Sequence, residues 1–355
     1  MAGWWQSGAA ATGRSPASAM RAVLTVAHGG RENLVLREDF PDPKPAEDEA
    51  LVQVAATAVN FHDVFTRRGM PGVRINLPVI VGSDIAGTVI DVGAAVDRSW
   101  VDKRVLIDPV LREGPRAGML GETLHGGRAQ EVVVGQAMLV EIPRGVSFED
   151  AASLPLAYGT AYRMMVTRGA VRRGERVLIL GASGGVGVAC VQLAKLLGAE
   201  VVACAGSEEK LEKLRAIGAD HVVNYLKQPF VDAIKELYGK PRVTGSGGVD
   251  VAVNFSGGDT LTPTQKCVKL GGRILCCGAT AGFNLQLDAR YWWTFEQTLI
   301  GSDGWSKGDL TTLLDLVALG RLRPVIDRVL PLEETAEGER LLEEREVFGK
   351  VIIRP

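Results

Sequence analysis

The sequence has only five cysteines in 355 residues, Cys190, Cys204, Cys267, Cys276 and Cys277, and no C-x-x-C pair among them. An odd number of thiols set mostly inside apolar runs argues against a disulfide framework and against a structural zinc lobe, and for a reducing compartment. Basic residues are not in excess. Lys and Arg number 40 against 42 Asp and Glu, a net charge of -2 with no basic tract, so nucleic acid is not an expected partner. A membrane span is also lacking: the longest uncharged stretch, Val177 to Ala194, is broken by Gly181, Gly184, Gly185 and Gly187 and reads as strand, turn and helix. Residues 1–19 have neither an apolar core segment nor repeated arginines, which argues against a signal or transit peptide and for a flexible N-terminal tail on a cytoplasmic protein. The 43 glycines show no triplet period, and 46% hydrophobic residues suffice for two buried cores, so the chain is neither fibrous nor disordered.

Between Arg21 and Val140 short β-branched runs alternate with turns, among them RAVLTVA, ALVQVAATAV, IAGTVIDVG and AQEVVV, which predicts a mostly β first domain. At Ser147, a candidate N-cap followed by Glu149 and Asp150, the pattern becomes helical through Ala151 to Met165. Strands and helices then alternate: RVLIL (176–180), a helix over Val186 to Leu197, EVVACA (200–205), a helix over Glu208 to Ile217, HVVNY, a helix from Pro229 to Tyr238, VDVAVNF (249–255), a helix over Thr262 to Lys269, and RILCCGA (273–279). Continuous apolar strands in this order predict a doubly wound parallel sheet covered on both faces. From about Asp288 the chain leaves that pattern and is expected to return to the first domain. The expected organisation is a tail (1–19), a catalytic domain (20–146 and 288–355) and a cofactor domain (147–287).

Residues 181–187 read GASGGVG directly after a strand and directly before a helix, the context that identifies a dinucleotide turn. Gly184, Gly185 and Val186 place backbone N–H groups at a helix start, where a pyrophosphate binds. At the end of the second strand an Asp or Glu would select NAD(H), but Ala205, Gly206 and Ser207 stand there, with Lys210 one turn on. A serine donor and a lysine charge favour NADP(H). Glu208 and Glu209 oppose that preference and are also explained as first-turn helix residues.

These segments, together with VNFHDVFTRRG (59–69), PVIVGSDIAGTVIDVG (78–93), HGGRAQEVVV (125–134), LPLAYGTAY (154–162) and FGKVII (348–353), resemble the medium-chain dehydrogenase/reductase superfamily, and within it the quinone oxidoreductase and enoyl reductase branch. The resemblance implies an α/β fold made of a GroES-like, mostly β catalytic domain and a Rossmann cofactor domain, and a homodimer. Alcohol-oxidising members carry a catalytic zinc, which polarises a carbonyl or alkoxide. Here Asn60 stands where the first cysteine ligand would be, and Ser83 stands for the histidine of G-H-E. That favours hydride transfer to a quinone or to the C=C bond of an α,β-unsaturated carbonyl, a small electrophilic substrate.

The candidate catalytic residues are Asn60, His62 and Asp63. Asn60 can donate to an enolate or quinol oxygen, or it is a turn residue before a helix. His62 aligns with the proton-relay position of the zinc enzymes and titrates near neutrality, or it is a loop histidine. Asp63 begins or caps the following helix. The resemblance implies cofactor contacts at Thr160, Tyr225 and Lys350, and Ser256, Gly278 and Thr280 follow later strand ends of the parallel sheet. Arg67, Arg68, Arg112, Arg116 and Arg128 are candidates for the phosphates of a CoA thioester, or are solvated surface residues. Tyr291, Trp292, Trp293 and Trp305 are packing residues or a stacking platform for a flat substrate. Two rival functions stay open: a zinc-independent carbonyl or alcohol dehydrogenase, and a non-catalytic NADPH-binding protein.

Overall fold

The structure, a computed structural model, describes residues 19–355, and the expected N-terminal tail lies outside them apart from Ala19. The chain begins with β1 (Ala19–Thr25), β2 (Leu34–Pro41) and β3 (Glu49–Val59), then helix α1 (Phe61–Arg68), β4 (Val79–Ile80), β5 (Asp84–Val92), β6 (Arg104–Ile107), β7 (Val110–Leu111), β8 (Gly118–Met119), β9 (Glu131–Gly135) and β10 (Leu139–Glu141). A helical connector follows, consisting of α2 (Phe148–Ala152), a π-type turn (Leu154–Gly159), α3 (Thr160–Tyr162) and a second π-type turn (Arg163–Arg168). The cofactor domain runs β11 (Arg176–Ile179), α4 (Gly185–Leu196), β12 (Glu200–Ala205), α5 (Glu208–Ala216), β13 (His221–Asn224), α6 (Phe230–Tyr238), β14 (Val249–Val253), α7 (Leu261–Gln265), β15 (Val268–Cys276), α8 (Ala289–Thr294) and β16 (Thr298–Gly301). The chain closes with α9 (Lys307–Ala318), β17 (Ile326–Pro331), α10 (Thr335–Glu343) and β18 (Lys350–Arg354).

Six parallel strands in the order β13-β12-β11-β14-β15-β16 form the cofactor-domain sheet. Because side chains alternate along a strand, Val177 and Ile179 of β11 enter one core while Leu178 and Leu180 enter another on the opposite face. That two-sided burial is why its strands read as unbroken apolar runs. The catalytic domain holds a three-stranded sheet, β2-β1-β4, and a seven-stranded one, β10-β6-β5-β3-β18-β17, with β9 also on β3. The last two strands enter through the antiparallel pairing of β18 with β3, in which Val351 faces Val59. This pairing delivers the C-terminal segment to the start of α1.

Three boundaries differ from the sequence reading. β16 pairs parallel with β15 through Arg273 with Thr298 and Cys276 with Gly301, so the first strand after residue 288 completes the cofactor sheet, and only β17 and β18 return to the catalytic domain. The helix expected through Lys269 stops at Gln265 and β15 begins at Val268. The connector expected as one α-helix widens into π-type turns, the first of which contains Pro155. A proline has no N–H to donate and disturbs the i to i−4 ladder.

Candidate functional site

The dinucleotide turn is built from main chain. Gly181 sits at φ 63°, in the left-handed region, and turns the chain away from β11. A Cβ on Gly187 would lie 2.3 Å from the Gly181 carbonyl oxygen, so only glycine lets α4 pack this close to its strand. A Cβ on Gly184 would meet only the Gly181 oxygen, at 3.8 Å, which leaves open space over the helix start. Gly184 is the N-cap of α4 and bridges to Gly349, so the N–H groups of Gly185 and Val186 lie in the first helical turn, where an anion binds. The residues present fit a dinucleotide pyrophosphate.

At the adenosine end, Ser207 caps α5 by accepting from the Lys210 N–H (3.3 Å), and the Tyr225 hydroxyl would lie 2.8 Å from a Cβ on Gly206. Ser207, Lys210 and Tyr225 therefore meet at one corner. The Lys210 ammonium donates to the Arg345 carbonyl at 2.5 Å, and partial burial lowers its pKa against the pull of Asp327 and Glu209. Glu208 is bound by Asn224 (2.7 Å) and Lys227 (2.9 Å), and Glu209 by Lys213 (2.6 Å), so both carboxylates have cationic partners of their own. Ser256 follows β14, and its loop is joined to the next one by Ala281 N–H donating to the Ser256 carbonyl (2.7 Å) and Thr280 N–H to the Phe255 carbonyl (3.3 Å). Gly278 and Thr280 are exposed in that second loop, and Thr160 is half-buried in the connector.

The catalytic-domain face of the cleft centres on Lys350, which is 2% exposed. Its ammonium donates to Asn60 Oδ1, to the Val59 carbonyl at 3.3 Å and to Asp84 Oδ2 at 3.4 Å. Asn60 Nδ2 donates to Asp84 Oδ2 at 2.9 Å, and the Leu156 N–H, from the first π-type turn, donates to Asp84 Oδ1 at 3.0 Å. Burial pushes the Asp84 carboxyl up and the Lys350 ammonium down, each opposed by the charge of the other. The stem of Lys350 lies against Gly185, 2.9 Å from a Cβ built there, because Gly349 donates its N–H to the Ser183 carbonyl at 2.9 Å and docks this segment on the dinucleotide turn. The Lys350 ammonium turns into the catalytic domain, where the buried Asp84 carboxylate requires a counter-ion, while its stem borders the dinucleotide turn. Asp84 carried no motif of its own in the sequence reading. Its one signal in the sequence is its place beside Ser83 in GSD.

His62 opens α1 and bonds through Nε2 to Glu122 Oε1 at 2.5 Å. Burial alone would lower the imidazole pKa, but the Glu122 hydrogen bond and the charges of Asp63, Glu122 and Asp84 prevail and hold it above its ordinary value. Phe65 of the same helix lies 6.2 Å, ring to ring, from Phe283, which belongs to the loop after β15. α1 therefore forms a wall of the cleft at the carboxyl edge of the parallel sheet, where ligands of such folds bind. Asp63, expected among catalytic residues, instead accepts from the Asn60 N–H (2.8 Å) and from Arg128 (2.7 Å) inside the domain, as a helix-start carboxylate does.

Each of the five arginines is in an ion pair, Arg67 and Arg128 buried and Arg68, Arg112 and Arg116 exposed. Arg67 pairs with Glu339 (2.7 Å) and Glu343 (2.8 Å), Arg68 with Glu343, Arg112 with Asp108, Arg116 with Asp48 and Glu49, and Arg128 with Asp63. Trp305 donates its indole N–H to the buried Asp108 (3.1 Å), a packing role. Trp292 and Trp293 are exposed on α8, and Tyr291 stacks on Phe295.

Residues 46–144 match the alcohol dehydrogenase GroES-like domain and residues 185–318 the zinc-binding dehydrogenase family. The acryloyl-coenzyme A reductase of Sulfurisphaera tokodaii is 30% identical over 90% of this chain and 96% of its own. The quinone oxidoreductase of Homo sapiens is 29% identical over 94% and 97%. Among solved structures, an NAD-dependent alcohol dehydrogenase is 39% identical with a TM-score of 0.87, over 95% of this chain and all of that one. The 2-octenoyl-CoA carboxylase reductase CinF, solved with NADP and 2-octenoyl-CoA, is 26% identical with a TM-score of 0.83, over 96% and 88%. The chain belongs to the medium-chain dehydrogenase/reductase superfamily, whose members are oxidoreductases that bind a nicotinamide cofactor. The zinc of the second family's description does not fit the residues present. Among the described residues no three His, Cys, Asp or Glu side chains are grouped to hold a metal ion, and an ammonium already lies between Asn60 and Asp84.

Proposed function

We propose that the protein is an NADPH-dependent, zinc-independent reductase of quinones or of the C=C bond of α,β-unsaturated carbonyl compounds, acting as a homodimer in the cytoplasm. The observation that carries this reading is the Lys350–Asn60–Asp84 cluster, a buried ammonium where the alcohol-oxidising relatives would place a Lewis acid. Bound nicotinamide supplies the hydride. The chain supplies the rest: Gly185 and Val186 bind the pyrophosphate, Ser207, Lys210 and Tyr225 the 2′-phosphate, and α1 with Phe283 encloses the acceptor. With both Asn60 side-chain atoms engaged by Lys350 and Asp84, its amide is held in one orientation, the second Nδ2 hydrogen remaining for substrate oxygen.

The opposition of Glu208 and Glu209 to a 2′-phosphate is reduced because each is drawn to a lysine beside the corner. The names of the similar proteins span enoyl-CoA reduction, quinone reduction and alcohol oxidation. The paired state of the five arginines favours an acceptor without a CoA phosphate. For the dimer, β16 is one of the two edges of the six-stranded sheet and exposes Leu299. Light scattering reading a single chain mass would remove it.

The test follows nicotinamide absorbance with chelator-treated protein, NADPH or NADH, and an enoyl-CoA, a quinone and a saturated aldehyde. NADPH-only turnover with either of the first two is the expected outcome. Turnover with the aldehyde alone, or preference for NADH, overturns the reading, and cofactor binding without turnover on any acceptor identifies a binding protein.

A further inference from the structure

The turn after β8 has no catalytic assignment, yet it aims a carboxylate at the one histidine of the cleft. It is held firmly: Glu122 N–H donates to the Met119 carbonyl (3.2 Å), the Asn76 N–H donates to the Glu122 carbonyl (3.0 Å), and Gly121 and Leu124 close the turn at 2.8 Å. From it the Glu122 side chain reaches His62 Nε2 at 2.5 Å, with both side chains mostly buried at 16% and 20% exposure. A neutral or charged imidazole bonded to a carboxylate through Nε2 has its proton there, which leaves Nδ1, without a hydrogen bond to the described residues, as the ring's second titrating atom. Two further carboxylates act on the ring, Asp63 and Asp84, and each has a cation of its own, Arg128 and Lys350 respectively. Glu122 has no cationic partner other than His62 among the ion pairs of the described residues.

Resting on the reductase reading above, we infer that Glu122 is a positioning residue that fixes the His62 ring, so that His62 Nδ1–H delivers the proton completing the reduction. With an α,β-unsaturated carbonyl, hydride forms a C–H bond at the β-carbon, the C=C π pair moves to give an enolate, and the Nδ1–H bond breaks as its proton joins the α-carbon. With a quinone, hydride forms a bond to one carbonyl oxygen, the ring π electrons shift to leave a phenolate at the other, and the Nδ1–H bond breaks as its proton joins that second oxygen. NADPH is oxidised and the acceptor reduced by two electrons, and neutral His62 regains its proton from solvent. Glu122 stabilises the imidazolium before transfer and keeps the ring from turning, as a carboxylate does for a general acid or base histidine.

The test begins on the full chain without nicotinamide, labelled with 13C at histidine Cε1. Four histidines give four resonances, and His62→Gln identifies one of them by its loss. We expect that resonance to titrate above 6.5 in the wild type and to fall in Glu122→Gln, with the other three unchanged. With NADPH and whichever enone or quinone the wild type reduces, His62→Gln loses about 100-fold in kcat, and Glu122→Gln moves the alkaline limb of the pH profile to lower pH. An unaltered His62 titration in Glu122→Gln overturns the pairing, and wild-type kcat in His62→Gln overturns the proton role. A wild type that reduces neither acceptor class while the titrations shift as expected would sink the reductase reading and the proton role with it, and leave the Glu122–His62 pairing established.

Discussion

The two ends of the cleft are made of different material. The pyrophosphate cradle of the dinucleotide end consists of main chain supplied by one short stretch, residues 181–187, and the space over it is open because side chains are left out. The reacting end consists of side chains brought from β3 and α1, β5, the turn after β8, and β18, and it depends on which groups are present and how they are paired. The first is broken by adding a carbon, the second by removing a charge. This difference predicts distinct failures, and the substitutions that follow separate binding from folding at each end.

The largest effect belongs to the reacting end. Lys350→Met leaves the wholly buried Asp84 carboxylate without its cation, and removing one partner of a buried pair costs about 3–5 kcal/mol. Adding Asp84→Asn removes the stranded charge, so urea denaturation should show the double variant recovering most of that loss. A double variant as unstable as the single one would mean that Lys350 acts by packing against Gly185.

Next comes the adenosine corner. Lys210→Ala removes a charge-assisted bond to phosphate, about 1.5–3 kcal/mol, and should lower kcat/KM for NADPH by roughly 10- to 100-fold while leaving NADH unchanged. Equal losses with both cofactors would place Lys210 outside phosphate recognition. Smaller again, and confined to the main-chain end, is a contrast of two glycines. Gly187→Ala forces a Cβ into the turn itself and should cost about 1–3 kcal/mol of stability. Gly184→Ala, with φ −79° and open space around it, should leave the melting temperature unchanged and weaken NADPH binding in a calorimeter. If Gly184→Ala binds normally, the pyrophosphate does not approach there.

The same contrast sets how much of each end is legible in the sequence. GASGGVG is contiguous, and its spacing, strand and helix are all local, so the cradle was legible, as were the parallel strands buried on both faces. The cluster was only half legible. Asn60 and His62 stood out beside a family motif, but their partners Asp84, Lys350 and Glu122 lie 24, 290 and 60 positions away in the chain, and no local pattern encodes such distances. β16 reads as part of the returning C-terminal segment for a related reason. As an edge strand it buries little, with Thr298, Leu299 and Gly301 exposed, so TLIG lacks the unbroken apolar run of its neighbours. The arginines show the limit from the other side, since their pairing depends on carboxylates as distant as Glu339 and Glu343.

The smallest effect is on stability, and it sharpens the account of the reacting end through sign alone. His62 titrates above its ordinary value in the folded chain, so its contribution is complete below about pH 6.5 and is lost as pH rises through the folded value. His125 is the opposite case, because burial lowers its pKa, so its contribution is present above about pH 6.5 and is lost as pH falls through the folded value. The two windows meet near the unfolded value and do not overlap. Glu122→Gln removes the charge that holds His62 up and does not touch His125, whose Nδ1 accepts from the Ile80 N–H at 3.1 Å. Denaturation curves of wild type and Glu122→Gln should therefore differ in slope with pH above about 6.5 and run parallel just below it. A slope difference on the acid side instead would mean that His62 is held neutral in the folded chain, and that Glu122 orients the ring without charging it.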